Sequence, residues 1–166
     1  LKHGISDLLR QLSAIEGLRW IRFLYCFPSQ VDESLLDTLR EEDKVCSYID
    51  IPLQHANGRL LKSMHRGGNA DGLRRFVEHI RQKVPGVTMR TSMIVGYPGE
   101  TEEEFAELCH FVEAMEFDRL GTFTYSDEEG TGSYLLDGKL PSRTINQRKN
   151  HLMRLQAKIS KKKNRQ

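Results

Sequence analysis

The chain has 166 residues, of which 38% are hydrophobic, with 25 Lys plus Arg against 23 Asp plus Glu, a composition that fits one globular domain with a modest core. No apolar run approaches the ~20 residues that span a bilayer, and the opening residues lack a secretory-signal pattern, so a cytoplasmic protein with no membrane role is expected. A net charge of +2 argues against a general nucleic-acid-binding surface, and Cys26, Cys46 and Cys109 form neither a disulfide framework nor a C-x-x-C metal motif, so no metal ligand is expected in this chain.

Leu8, Leu9, Leu12 and Ile15 recur at helical spacing and Gly17 ends the pattern, which predicts an opening helix. Trp20 to Tyr25, aromatic and branched, reads as a strand stopped by Pro28. Asp32 is the expected N-cap of a helix carrying Leu35, Leu36 and Leu39, and Tyr48 to Pro52 reads as the second strand. A short helix through Leu60, Leu61 and Met64 is broken by Gly67-Gly68, and Asp71 is expected to cap a longer helix through Leu73, Phe76, Val77 and Ile80.

Pro85-Gly86 mark a turn before the most strand-like segment, Val87 to Val95, which runs directly into Gly96-Tyr97-Pro98-Gly99. Thr101 followed by Glu104 is a capping box opening a helix with Phe105, Leu108, Cys109, Val112 and Met115. Leu120 to Tyr125 is a fourth strand, Ser126 to Ser142 a Gly-rich and acidic loop, and Thr144 to about Lys161 a final helix. The cluster of Lys158, Lys161, Lys162, Lys163 and Arg165 reads first as a solvated helix end, with an RNA-contacting or linker role as the alternative.

Four strands alternating with helices imply parallel pairing through right-handed crossovers, hence an α/β fold: a sheet or part of a TIM-type barrel. Four strands leave such a barrel incomplete, with the first strand as an open edge. Ligands collect at the carboxyl ends of parallel strands, so chemistry is sought at residues 23–28, 50–56, 93–101 and 123–131. At the third end, Gly96 and Gly99 let backbone approach a flat ligand and Thr101 opens a helix toward it, although a plain capped βα turn explains the same residues. Gln54 and His55 can hydrogen-bond a ligand or their own loop. Arg90 and Ser92 share the face opposite Thr91 and Met93; a guanidinium there needs an anionic partner, and Asp50 is the candidate.

Taken in order, DIPLQHA, RTSMIVGYPGETEEEF, RLGTFTYSDEEGT and HLMRLQAKIS resemble the radical S-adenosylmethionine (SAM) methylthiotransferase family, from about Leu8 to Ser160. The resemblance implies a partial TIM barrel of six parallel strands with flanking helices. Residues 1–166 would then be its C-terminal portion with the last four strands, and the N-terminal cluster domain, the first barrel strands and a C-terminal TRAM domain would lie outside this chain. It implies SAM and two 4Fe-4S clusters as cofactors, with the cluster ligands outside this chain, which alone is expected to be inactive. In the family, reductive cleavage of SAM gives a 5′-deoxyadenosyl radical that abstracts hydrogen from carbon, after which sulfur and a methyl group are added.

By position, the resemblance gives backbone contacts to adenosine to Met93, Ile94, Val95, Gly96, Tyr97 and Pro98, and polar SAM contacts to Gln54, Arg90 and Ser92. The last strand end, Tyr125-Ser126-Asp127-Glu128-Glu129-Gly130-Thr131, is similar to the branch that methylthiolates the β-carbon of an aspartate in ribosomal small-subunit protein 12. The tRNA-modifying branch typically has Tyr-Ser-x-Arg-Pro-Gly-Thr there. Tyr125, Asp127, Glu128 and Glu129 therefore form the expected substrate-side loop, whose acidity suits a basic ribosomal protein and repels tRNA phosphate. The tRNA branch, with RNA contact through the TRAM domain, and a non-catalytic α/β nucleotide- or protein-binding domain are the alternatives.

Overall fold

In the computed structural model, which describes residues 4–165, three parallel strands form one sheet in the order β1 (Tyr48–Asp50), β2 (Thr88–Val95), β3 (Arg119–Thr124). Six α-helices accompany them: α1 (Ile5–Ser13), α2 (Glu33–Glu41), α3 (Gly58–Ser63), α4 (Ala70–Lys83), α5 (Glu102–Met115) and α6 (Ser142–Lys163). Short 3-10 turns form at Pro28–Gln30, beginning at the proline expected to stop the first strand, and at Gly132–Leu135, within the segment read from sequence as loop.

Trp20 to Tyr25, expected as the first strand, does not form a ladder. It runs extended beside β1, tied by the parallel bridge Ile21↔Val45 and by a hydrogen bond from Cys26 N to Asp50 O (2.8 Å). Only Ile21 and Phe23 of this segment reach the core, and Trp20 is 84% exposed, so the segment has one apolar flank and, among the described residues, no strand partner on its outer edge.

Helix starts follow local chemistry. Asp32 Oδ1 accepts from Leu35 N (2.8 Å), and Thr101 and Glu104 form the expected capping box. The cap of α4 is Asn69, which accepts from Gly72 N (2.9 Å); Asp71, the expected cap, lies inside the first turn, where its charge favours the helix N-terminus. The final helix starts two residues earlier and ends about two later than its sequence reading, spanning Ser142–Lys163.

One face of the sheet is covered by helices and the other is not. Met89, Thr91, Met93 and Val95 alternate along β2 on the covered face, where Met89, Met93 and Val95 share one core with Leu108, Phe111 and Phe117, while Arg90, Ser92 and Ile94 face the open side. The register stacks Asp50, Arg90 and Arg119 in one layer, and Ile94 beside Phe123 nearer the strand tips.

Beyond β1 the register slips. Asp50 pairs with Arg90 but Gln54 bridges Met93, so residues 51–54 hold one residue more than the facing segment. This bulge would orphan main-chain groups, and Thr91 supplies what they need: its hydroxyl donates to Ile51 O (2.9 Å) and accepts from Leu53 N (3.3 Å). Pro52 in the bulge has no N–H to satisfy. Gln54 absorbs the slip with φ 73°, a left-handed conformation costing a non-glycine residue roughly 1–2 kcal/mol.

Candidate functional site at the strand tips

The carboxyl ends of the strands open into two adjoining hollows. One, about 370 Å³, is lined by Tyr25, Cys26, Gln54, Arg66, Ser92 and Phe123 among others. The second, about 640 Å³, shares Gln54, Arg66 and Ile94 with the first and extends to Tyr97, Tyr125 and Leu136. Three of the four non-glycine residues with positive φ among the described residues, Tyr25 (60°), Gln54 (73°) and His65 (54°), line this space. Backbone strain of this kind gathers where a site dictates side-chain direction.

Of the residues expected to meet a ligand, Gln54, Ser92 and Ile94 line the first hollow, and Gln54, Ile94, Tyr97 and Tyr125 the second. Met93 and Val95 send fully buried side chains into the helical core, so only their main chain faces the strand tips. Arg90 is outside the lining of both hollows. Its guanidinium lies 3.6 Å from the Asp50 carboxylate, the partner read from sequence, and a hydrogen bond that it donates to Tyr48, together with that charge, holds its pKa above the usual value. The buried Asp50 oxygens accept no hydrogen bond from the described residues, so the ion pair is their main support.

Arg66, which the sequence reading passed over, is the one charged side chain lining the smaller hollow. Its guanidinium stacks 4.4 Å from the Phe27 ring centroid and has no anionic partner among the described residues. A half-buried, unpaired arginine held by an aromatic face is poised to bind an anion. Its only sequence signal is a cation immediately before Gly67-Gly68 at a helix end.

The Gly-Tyr-Pro-Gly turn is held from behind by a buried polar network. Glu100, with 3% exposure, accepts from Gly96 N (2.6 Å) and from Arg148 Nη1 (2.7 Å) through Oε2, while Oε1 lies 3.1 Å from His55 Nε2. His55 Nδ1 accepts from Asn57 N (3.0 Å), which leaves the proton on Nε2 for Glu100. Arg148 also donates to Glu100 O (3.0 Å) and to Glu102 Oε1 (2.6 Å). Burial lowers its pKa, but the bonds to Glu102 and Glu100 outweigh this and raise it above the usual value. His55 is thus consumed in loop support and is not free to meet a ligand.

Gly96 has a structural task as well. At φ 79° it is left-handed, and a Cβ there would stand 2.6 Å from Ile145 Cγ1, so its missing side chain makes room for α6. Gly99 N donates to Gly138 O (2.8 Å), which fastens the turn to the loop after β3. Tyr97 donates to Ser63 O (3.1 Å) and meets Tyr125 edge to face at 5.5 Å.

The acidic loop is only partly free. Asp127 pairs with Lys139 (2.6 Å) and accepts from Tyr125 (3.1 Å), and those bonds, led by the lysine, hold its carboxyl below the usual range. Glu128 accepts from Ser126 (2.6 Å), and Glu129 is exposed. Cys26, beside the first hollow, has its thiol pushed up in pKa by burial and by Asp32, and burial pushes Cys109 up to about 11; neither is an activated nucleophile. Among the described residues no cluster of three or more His, Cys, Asp or Glu could hold a metal ion, and no helix is long and apolar enough to cross a membrane.

Helix-backed parallel strands with tips converging on a polar-apolar hollow define a partial α/β barrel with a ligand site at its carboxyl end. The radical SAM superfamily model matches residues 2–112, and the chain belongs to that superfamily. It is 53% identical, over 99% of its length, to a protein of Solibacter usitatus named ribosomal protein uS12 methylthiotransferase RimO, and 48% identical over 98% to the protein of that name from Koribacter versatilis. It spans 36% and 32% of those proteins, about a third of their length. The fold is similar to coproporphyrinogen III oxidase HemN of Escherichia coli (TM-score 0.67, 22% identity, 93% of this chain and 35% of that one). It also resembles the methyltransferase TsrM of Kitasatospora setae (TM-score 0.56, 22% identity, 72% and 24%).

Proposed function

We propose that the chain is the C-terminal portion of the radical SAM barrel of a methylthiotransferase that modifies an aspartate β-carbon of ribosomal small-subunit protein 12, in the cytoplasm. The observation that carries this reading is the convergence of Gln54, Arg66, Ser92 and Phe123 on one hollow, in a chain about half identical to proteins named for that activity.

The hollow's donor set fits a sulfonium amino acid joined to a nucleoside. Phe123 and Ile94 offer an apolar wall for a purine, and the main chain of Met93 to Pro98 runs along its edge. The Gln54 amide and Ser92 hydroxyl suit ribose hydroxyls, and the unpaired Arg66 suits a carboxylate. Arg90 acts from the layer below, adding positive charge while tied to Asp50. When bound with a reduced 4Fe-4S cluster, SAM supplies the radical that abstracts hydrogen. The three cysteines of this chain do not assemble into a ligand set, so the ligands of both clusters are assigned to parts of the protein outside it.

The second hollow is the proposed entry for the substrate segment. Tyr125 lines it together with Lys62, His65 and Arg66, and the loop that follows Tyr125 carries Asp127, Glu128 and Glu129, whose acidity favours a basic polypeptide over tRNA. The test is to supply the full-length enzyme with protein 12 and, separately, with tRNA, and to weigh each product. A methylthio mass gain on the protein is expected, and gain on tRNA alone refutes the assignment.

A further inference from the structure

Charge along this chain is sharply segregated. After Asp137 the sequence contains no acidic residue and ten Lys or Arg, whereas residues 1–137 carry 15 Lys or Arg against all 23 acids. Four of the ten cations are paired: Lys139 with Asp127, Arg148 with Glu100 and Glu102, Lys162 with Glu116, and Lys163 with Asp118. Arg143, Arg154, Lys158, Lys161 and Arg165 are exposed and have no ion pair among the described residues.

At 100° per residue, Arg143, Gln147, Asn150, Arg154, Lys158 and Lys161 fall on one narrow stripe of α6. The buried residues Leu152, Gln156 and Ile159 occupy the opposite side, against the sheet and α5. The stripe therefore points away from the acidic body that could neutralise it. It is about 27 Å long at ~1.5 Å per residue. Like charges three and four residues apart repel, a modest cost that a covering polyanion would relieve.

We infer that the outer face of α6 is a docking surface for the phosphate backbone of RNA. Arginine and lysine interleaved with asparagine and glutamine suit phosphate and sugar contacts, which make up most protein–nucleic acid hydrogen bonds. An acidic protein partner would call for an apolar centre, and the stripe has none; an anionic membrane would call for an insertable apolar face, and that face of α6 is packed in the core. RNA is chosen over DNA on the strength of the functional reading above, in which the substrate belongs to the ribosome. The surface is distinct from the strand-tip hollows, so RNA would hold the enzyme near its substrate without entering the site.

The experiment compares the full-length enzyme with a variant carrying Arg154→Gln, Lys158→Gln and Lys161→Gln. Binding to a 16-base-pair RNA duplex is read by fluorescence anisotropy between about 50 and 200 mM salt, with a DNA duplex of the same sequence, polyglutamate and phosphatidylserine vesicles as further arms. The expected result is RNA affinity reduced about tenfold or more and a log–log salt slope shallower by about 2–3, with an unchanged melting temperature. Unaltered RNA binding by the variant overturns the surface. Equal wild-type binding to DNA, polyglutamate or vesicles overturns the assignment to RNA. Methylthiolation of isolated protein 12 should be the same in both proteins; if neither modifies it, the functional reading fails, while the RNA comparison still decides the surface.

Discussion

Arg148 Nη1 lies 2.7 Å from Glu100 Oε2, and the two side chains, 5% and 0% exposed, join the last helix to the turn that closes the most regular strand. The same carboxylate oxygen accepts from Gly96 N, so the final helix and the strand tip share one acceptor. An ion pair at this depth is costly to assemble and more costly to halve, because removing one partner leaves a buried charge uncompensated.

Arg148→Met should therefore lower unfolding free energy by about 3–5 kcal/mol in urea titrations, the range for breaking a buried pair. Arg148→Lys keeps the charge but not the fork that reaches Glu100 and Glu102 together, and should recover only part of the loss. Full stability in Arg148→Met would show that the network is not a support.

Gly96→Ala meets two separate penalties. Its φ of 79° disfavours any side chain, and the new methyl would press on Ile145. The expected loss is about 2–4 kcal/mol, combining left-handed strain with overpacking. In a double-mutant cycle, Ile145→Ala should relieve only the overpacking part, so equal losses in both backgrounds would rule out the contact.

Arg66→Met should weaken SAM binding to the full-length holoenzyme roughly 10- to 100-fold, the worth of a charge-assisted hydrogen bond, with little change in stability. Equilibrium dialysis with labelled SAM measures it. Unchanged affinity would remove Arg66 from the ligand site.

Asp118 provides a pH test. Burial raises its pKa, but bonds from Lys163 (2.6 Å) and Met89 N (2.9 Å) outweigh this and lower it below its ordinary 3.8. A depressed carboxylate contributes stability above its unfolded pKa, and that contribution is lost as pH falls through the lower folded value. The protein should lose stability below about pH 4, and Asp118→Asn should flatten this acid limb while lowering stability at neutral pH. Parallel pH curves for the two proteins would show that Asp118 is not a source of the dependence.

The sequence carried much of this in legible form. Caps at Asp32 and Thr101 need only residues three apart, and strand alternation predicted that Arg90 would face away from Met93 and toward Asp50. Where local signals compete, the residues do not decide between them: Asn69 and Asp71 are both good caps, and only the backbone path selects the first. Trp20 to Tyr25 has strand composition, but a ladder needs a second partner that this chain does not place beside it.

The sequence by itself determined which segments are helical or extended, their parallel order and the superfamily, because these depend on periodicity, capping and ordered short motifs. Only the tertiary structure decided that His55 and Arg148 serve Glu100, that Gly96 yields to Ile145, that Thr91 mends a bulge and that Arg66 stands unpaired at the hollow. The reason is physical: these roles arise from approaches between side chains far apart in the chain, and no local propensity or spacing records who the distant neighbour is.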